Sequence, residues 1–189
     1  DTDSDNIVSN SDVVTITANF SESMAATPTL SLSGIITNTE MTATASASVW
    51  TYAWTVSTTV TSTTATVYGT DLAGNAYAGT DSITFTIDNS VPTVKLTDTD
   101  SDNLISNSDV VTITATFSES MSATPTLSLS GIITNAQMTA NASDSVWTYA
   151  WTVSTSINST TATVSGKDLS GNAYAGSDSI TFTIDNVPP

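Results

Sequence analysis

Aspartates recur at alternate positions of a twelve-residue segment that occurs twice, at 1–12 and at 98–109. The candidate ligands are Asp1, Asp3, Asp5 and Asp12 in the first copy and Asp98, Asp100, Asp102 and Asp109 in the second. Carboxylates at alternate positions of a tight loop converge on one centre, which is the ligand spacing of a calcium loop. Asn6 stands where such a loop usually has glycine, and asparagine tolerates the left-handed turn required there. The spacing therefore predicts Ca²⁺ as the bound cation.

The alternative interpretation of this segment is a solvated acidic turn that keeps the protein soluble. Four carboxylates within twelve residues repel one another unless a cation lies among them, and the spacing is intact in both copies. An EF-hand is excluded, because a strand beginning near Val13 follows the loop instead of a helix. Asp12 is shorter than the glutamate usual at this position, so it is expected to be a monodentate ligand or to bind elsewhere.

Composition excludes most other chemistry. The chain has 18 acidic residues against two basic ones, and a formal net charge of −16. Nucleic acid and anionic membrane surfaces are therefore not expected as partners. Histidine and cysteine are absent, which removes the usual ligands of zinc and haem and the thiol nucleophile. The oxygen ligands that remain suit calcium or magnesium. No membrane-inserted segment is expected, and no enzyme, because Asp3 and Asp5 lack an apolar pocket that would tune them as acid and base.

The rest of the sequence alternates apolar and polar residues with a period of two, which is typical of half-buried strands. Val14, Ile16 and Ala18 alternate with threonines, and Gly, Pro and Asn separate the runs. Several short strands within about 90 residues predict an all-β fold, an antiparallel immunoglobulin-like sandwich. Trp50 and Trp54 share a parity and are expected in the core, although exposed aromatics on a sandwich can also stack sugar rings.

The sequence is an internal repeat with a period of 97 residues, in which 15 of 89 aligned positions differ. We expect two tandem domains, 1–91 and 92–189, each an immunoglobulin-like sandwich. Residues 92–97 read as the first strand of the second domain and 110–117 as its second strand. Nothing equivalent precedes Asp1, which is consistent with a segment cut from a longer array. The alternative is that a neighbouring chain donates this strand and builds a fibre.

The sandwich topology predicts where the acidic loop lies. The loop after the first strand lies at the pole from which the last strand exits, so we expect it near the linker 88–92. Further candidate ligands at this junction are Asp88, Asn89, Glu119 and Asp168. The hypothesis is that calcium bound there stiffens the connection between repeats.

Three motifs resemble the bacterial immunoglobulin-like repeats of very large surface proteins. They are Phe20-Ser21-Glu22-Ser23-Met24, Asp71-Leu72-Ala73-Gly74-Asn75 and Ile87-Asp88-Asn89, and all three recur in the second repeat. The resemblance implies an extracellular, cell-surface extender segment of a biofilm-associated adhesin, often calcium-dependent, whose partners are neighbouring repeats of the same or identical chains. Two other functions remain open: a unit of a self-assembled surface layer or filament, and a carbohydrate-binding module.

Overall fold

The computed structural model describes residues 1–141 and 143–187, and the regular elements in these residues are all strands. No helix capable of spanning a membrane occurs in the described residues. The chain divides into two compact units, Asp1–Asn89 and a second unit from Ser90 onward. The division falls two residues before the boundary suggested by the sequence.

The first unit contains two sheets. One has five strands in the order β1-β8-β7-β3-β4, and the other has three in the order β2-β6-β5. Their bounds are β1 (Ile7–Val8), β2 (Val13–Asn19), β3 (Thr29–Leu32), β4 (Ile36–Glu40), β5 (Thr42–Ala43), β6 (Val49–Thr55), β7 (Ser62–Tyr68) and β8 (Ser82–Ile87). Neighbours are antiparallel except β1 and β8, which are parallel.

The second unit repeats this arrangement with one additional strand. Its sheets have the orders β10-β17-β16-β12-β13 and β14-β15-β11-β9. The bounds are β9 (Val94–Asp98), β10 (Leu104–Ile105), β11 (Val110–Phe117), β12 (Thr126–Leu129), β13 (Ile133–Gln137), β14 (Thr139–Asn141), β15 (Ser143–Thr152), β16 (Ser159–Ser165) and β17 (Ile180–Ile184). β10 is parallel to β17. Each unit is an immunoglobulin-like sandwich, as predicted.

Alternation along the strands supplies the core of each sandwich. In β2, Val14, Ile16 and Ala18 are buried and the intervening threonines are partly exposed. Trp54 from one sheet meets Phe85 from the other edge-on, with ring centroids 5.5 Å apart. Aromatic side chains bury large apolar areas and favour this geometry. The core role predicted for the aromatic row of β6, which comprises Trp50, Tyr52 and Trp54, is therefore confirmed for Trp54.

Two details differ from the expectation from sequence. The segment 1–12 is not one continuous loop, because Ile7 and Val8 form the short strand β1 beside Thr86 and Ile87. The first strand of the second domain is Val94–Asp98, two residues later than expected at its start, and it pairs with β11. Within Asp1–Asn89, all of which the structure describes, β2 has β6 as its only sheet neighbour.

We expect Leu127→Ala to destabilise the second domain by about 2–5 kcal/mol, because Leu127 is fully buried and its truncation leaves a cavity. The measurement is urea unfolding followed by tryptophan fluorescence. Leu104→Ala is the control: this leucine is 55 % exposed, so the change should stay within about 0.5 kcal/mol. Equal effects of the two variants would contradict the sandwich core described above.

Candidate metal centres

The first half of each acidic loop is a series of turns held by its own carboxylates. Asp1 Oδ1 accepts a hydrogen bond from Asp3 N at 2.9 Å, and Asp3 Oδ1 accepts two, from Asp5 N at 3.2 Å and from Asn6 N at 2.5 Å. Asp98, Asp100 and Asp102 repeat the pattern. Asn6 takes φ 58°, so its predicted left-handed conformation is confirmed. Short aspartate side chains accept such local hydrogen bonds readily, which fixes the loop backbone.

Asp12 lies apart from this series. Its Oδ2 accepts hydrogen bonds from Ser9 N at 2.8 Å and from Ser9 Oγ at 3.2 Å. Strand β1 separates it in sequence from Asp5, and Asp109 bonds to Ser106 in the same way. Among the residues that the structure describes, no three acidic groups of either loop offer oxygens all within 4.8 Å of one another. The loop as a calcium site therefore stays a prediction.

Each acidic loop, in the described residues, contains a buried amide oxygen without a hydrogen-bond partner. The Oδ1 atoms of Asn6 and Asn103 are buried without one. A buried acceptor left unsatisfied costs about 1–3 kcal/mol, and an amide oxygen is a ligand that calcium accepts. The amide oxygen at position 6 of each loop thus joins the aspartates as a candidate ligand.

Asn89, a predicted ligand, follows β8 and forms hydrogen bonds with other parts of its own domain. Its Oδ1 accepts a hydrogen bond from Asn10 N at 2.7 Å, and its Nδ2 donates to Thr58 O at 3.4 Å. Asn186 makes the same contacts with Asn107 and Thr155. The acidic segment thus lies at the end of the sandwich where β8 terminates, as the topology predicts. Asp88 follows β8 directly and donates its backbone N–H to Val8 O at 2.9 Å.

Glu119 and Asp168 come together in the second domain. A carboxylate oxygen of each lies within 4.8 Å of the other. Glu119 belongs to the β11–β12 connection and Asp168 to the β16–β17 connection, which are joined by an isolated bridge between Met121 and Asp168. Glu119 is half-buried and Asp168 is 1 % exposed. Two of the motifs that resemble the surface-protein repeats therefore meet at this point.

The Asp168 side chain is fixed by a turn. Its Oδ1 accepts a hydrogen bond from Asn172 N at 2.8 Å and its Oδ2 from Asn172 Nδ2 at 3.0 Å. Each carboxylate oxygen can accept two hydrogen bonds, so both keep capacity for a further ligand. Gly171 closes the turn with φ 83°, a left-handed conformation that glycine adopts without strain.

The first domain has the equivalent arrangement at Glu22 and Asp71. Both line a cavity of about 400 Å³ together with Asn75 and Tyr77. The side-chain hydrogen bond from Asn75, followed by its backbone N–H, holds the pKa of Asp71 below its ordinary value, although burial opposes this shift. The candidate ligands predicted from sequence omitted Glu22 and Asp71. Aligning the two repeats would have found them, because they correspond to Glu119 and Asp168.

The aromatic side chains of β6 and β15 are not exposed to solvent as a platform on which a sugar ring could stack. Trp54 and Trp151 are buried, and Trp50, Tyr52 and Tyr149 are partly buried and pack against the cores. Trp147 is buried and donates its Nε1–H to Asp144 O at 3.0 Å. Burial in the core leaves little of these ring faces available for a sugar.

Comparisons with known proteins found only neighbours of low similarity. No protein-family model and no curated protein matches the sequence. Among solved structures, the chain is similar to fibronectin(III)-like modules of Clostridium thermocellum CbhA, at 15 % identity and TM-score 0.49, over 95 % of this chain and 89 % of that one. It is also similar to a chimeric titin Z1Z2 carrying a peptide from decorin, at 13 % identity and TM-score 0.36, over 94 % of this chain and 89 % of that one. At this identity the likenesses say nothing about function.

We expect Asp71→Asn to flatten the acid dependence of the stability of the first domain. The pKa of Asp71 is lowered in the folded state, so its carboxylate contributes stability above its unfolded-state pKa that is lost as the pH falls through its folded-state pKa. The variant should be less stable than the parent at pH 6, and the difference should shrink toward pH 2. Denaturant unfolding across this range measures it.

Glu40→Gln is the matched control for Asp71→Asn. It also removes one negative charge from the first domain, at an exposed position where the second repeat carries Gln137. If Glu40→Gln flattened the acid dependence as much as Asp71→Asn, net charge would explain the effect and the turn would not.

Proposed function

We propose that this chain is a calcium-stabilised structural segment of a large extracellular surface protein, in which immunoglobulin-like repeats act as extender modules. The fold supports a structural role, since each repeat has its own hydrophobic core and the repeats are nearly identical. The observation that carries the calcium part is the pair of carboxylates at Glu119 and Asp168.

The spacing of this pair suits one calcium ion. Calcium–oxygen distances are about 2.3–2.6 Å, so an ion can contact two oxygens that lie up to about 5 Å apart. The Glu119 and Asp168 oxygens lie within 4.8 Å. Backbone carbonyls and water would complete the six to eight oxygen ligands that calcium prefers. Magnesium is less suitable, because it requires near-ideal octahedral geometry and releases its water reluctantly.

Charge also favours a cation at this site. Asp168 is nearly fully buried, and its side-chain hydrogen bonds come from the uncharged amide groups of Asn172. Two neighbouring carboxylates, one of them buried, repel each other, and the whole chain has only two basic side chains. A divalent ion from the medium would offset this repulsion. Burial of a charge is otherwise expensive.

Two observations support the extender role: the sequence resemblance to surface-protein repeats and the near-identity of the two repeats. Fifteen differences among 89 aligned positions leave every candidate ligand unchanged. A spacer needs modules that each add length and resist unfolding, and such modules can be copied with little change. The buried aromatic row disfavours the carbohydrate-binding alternative, and the acidic composition disfavours nucleic acid.

We expect calcium to raise the stability of the second domain. With a dissociation constant of about 10⁻⁴–10⁻³ M, typical of extracellular sites, about 10 mM calcium would add roughly 1.4–2.7 kcal/mol. Glu119→Gln should weaken binding about tenfold or more, because it removes a ligand charge. Asp168→Asn should weaken calcium binding similarly. It should also destabilise the second domain, because Asp168 accepts the hydrogen bonds that fix the turn 168–172. Isothermal titration calorimetry measures the binding, and unfolding in calcium or chelator measures the stabilisation.

Asp144→Ala and Asp100→Asn are the controls for this experiment. Asp144 is exposed and the first repeat has alanine at the equivalent position, so its removal tests net charge alone. Asp100→Asn tests the acidic loop. If Asp100→Asn abolished binding and Glu119→Gln did not, the ion would belong in the loop and the assignment to Glu119 and Asp168 would be wrong. If neither affected binding, the calcium proposal would fail.

The hypothesis that calcium stiffens the linker 88–92 is a separate prediction. If bound ions restrict motion between repeats, small-angle X-ray scattering should give a larger or more sharply defined maximum dimension in calcium than in chelator. Glu119→Gln should reduce the difference in maximum dimension between calcium and chelator, and Asp144→Ala should leave that difference unchanged. The same scattering curve in calcium and in chelator would contradict stiffening while leaving stabilisation of single domains possible.

A further inference from the structure

The two repeats differ in chemistry at one corner of their five-stranded sheets. In the first domain, Thr29 of β3 lies opposite Tyr68 of β7 on one side and Glu40 of β4 on the other. Residues directly opposite each other on neighbouring strands point to the same face, so these three side chains form a row, which we call the tyrosine row. Tyr68 is 52 % exposed and Glu40 is also exposed. The row therefore presents an aromatic ring and a carboxylate to solvent on either side of a threonine.

The same row in the second domain has neither of these groups. Thr126 lies between Gln137 and Ser165, and its Oγ1 shares a hydrogen bond with Ser165 Oγ at 2.8 Å. Ser165 and Gln137 are exposed in a domain whose strand β9 is paired with β11. Exposure of this row therefore does not depend on what precedes a domain.

The second domain instead carries a lysine at this corner. Lys167 comes two residues after Ser165, where the first domain has Thr70. A Cβ added at the intervening Gly166 would lie 2.9 Å from the buried Met121 side chain, so position 166 faces inward. Because side chains alternate along an extended chain, Ser165 and Lys167 share the outer side of the sheet. Lys167 is exposed there.

The two corners are complementary in charge. A lysine ammonium is attracted both to the face of a tyrosine ring and to a carboxylate. Two strand spacings separate Tyr68 from Glu40, about 10 Å across Thr29, which leaves room for one ammonium group between them. The chain has two basic side chains, Lys95 and Lys167. Lys95 belongs to β9, in the other sheet of its domain, so Lys167 is the lysine at the equivalent corner.

We propose that the tyrosine row is a docking site for a second copy of this chain, whose Lys167 ammonium lies between the ring of Tyr68 and the carboxylate of Glu40. The contact joins unlike surfaces, because the first domain of one chain receives the second domain of another. One ion pair with a ring contact is weak at an exposed site, and repetition of the contact along near-identical repeats adds avidity. This docking goes beyond the extender role and does not depend on calcium.

Net charge opposes the contact but acts over a longer range. Each chain carries a formal charge of −16, so two chains repel each other at a distance. At physiological ionic strength the screening length is about 8 Å. Salt therefore weakens the repulsion between distant charges more than the attraction between groups in contact. Docking is expected at physiological salt and should be suppressed at low salt.

The test is a titration of the isotope-labelled full chain with unlabelled chain, followed by NMR in chelator and about 0.15 M salt. Weak association becomes populated as the total concentration approaches about 1 mM. The amide signals of the tyrosine row and of Lys167 should then shift together along one binding curve. The signal of Thr114, in the other sheet of the second domain, should not shift.

Two changes test the two sides of the contact. Lys167→Thr and Tyr68→Ser each introduce the residue that the other repeat has at this position, so the fold should be retained. Each should weaken association about fivefold or more, because it removes the cation or the ring. Lys95→Thr is the matched control: it removes the same charge from the other sheet and should leave association unchanged. If Lys95→Thr weakened association as much as Lys167→Thr, general charge attraction would explain the result and the proposal would be wrong.

A charge reversal tests whether the two groups meet. The Glu40→Lys chain and the Lys167→Glu chain should each fail to associate alone, because like charges then face each other. A mixture of the two should recover association in part, since the new lysine of one chain faces the new glutamate of the other. No shift of the tyrosine row in the parent chain, or no recovery in the mixture, overturns the proposal. Shifts of the tyrosine row that persist in Lys167→Thr would identify another occupant and also overturn it.

Discussion

A carboxylate that is almost fully buried needs hydrogen-bond donors to offset the cost of burying its charge. Asp168 has two, the backbone N–H and the side-chain amide of Asn172. These hydrogen bonds fix the turn 168–172, and the bridge between Met121 and Asp168 brings the β11–β12 connection against it. The same contacts recur at Asp71, Asn75 and Met24. The position of the glutamate before each methionine, and with it the acidic pair, depends on this turn.

The two domains have nearly the same sequence, but equivalent residues are buried to different extents. They share nearly all of their core residues, yet Ala115 is fully buried and Ala18 is 9 % exposed. The difference lies beside β9, which covers this part of the second sandwich. Strand β9 therefore covers the part of the sheet around Ala115.

Much of the fold was predictable because its signal is local. Val14, Ile16 and Ala18 alternate strictly, and alternation fixes which face of a strand is buried. Strand β1 was not predictable, because the pair Ile7 and Val8 is too short to show a period, and its partner β8 lies about eighty residues further along the chain. Ligand spacing alone places Asp12 with the other aspartates of the acidic loop. The hydrogen bond from Ser9 N to Asp12 depends on where β1 ends, and the spacing of the aspartates gives no information about that. Glu119 and Asp168 could be proposed from topology, whereas their proximity depends on a bridge between two loops.

The parallel pairing of β1 with β8 has a mechanical consequence. β1 lies near the start of its domain and β8 at its end, and Asn6 O and Val8 O accept hydrogen bonds from Thr86 N and Asp88 N. Tension applied at the two ends of the domain would slide these parallel strands past each other, so their hydrogen bonds would carry the load together and not break one after another. A tether made of such domains would yield abruptly at a threshold force, and below that force it would transmit the pull with little extension.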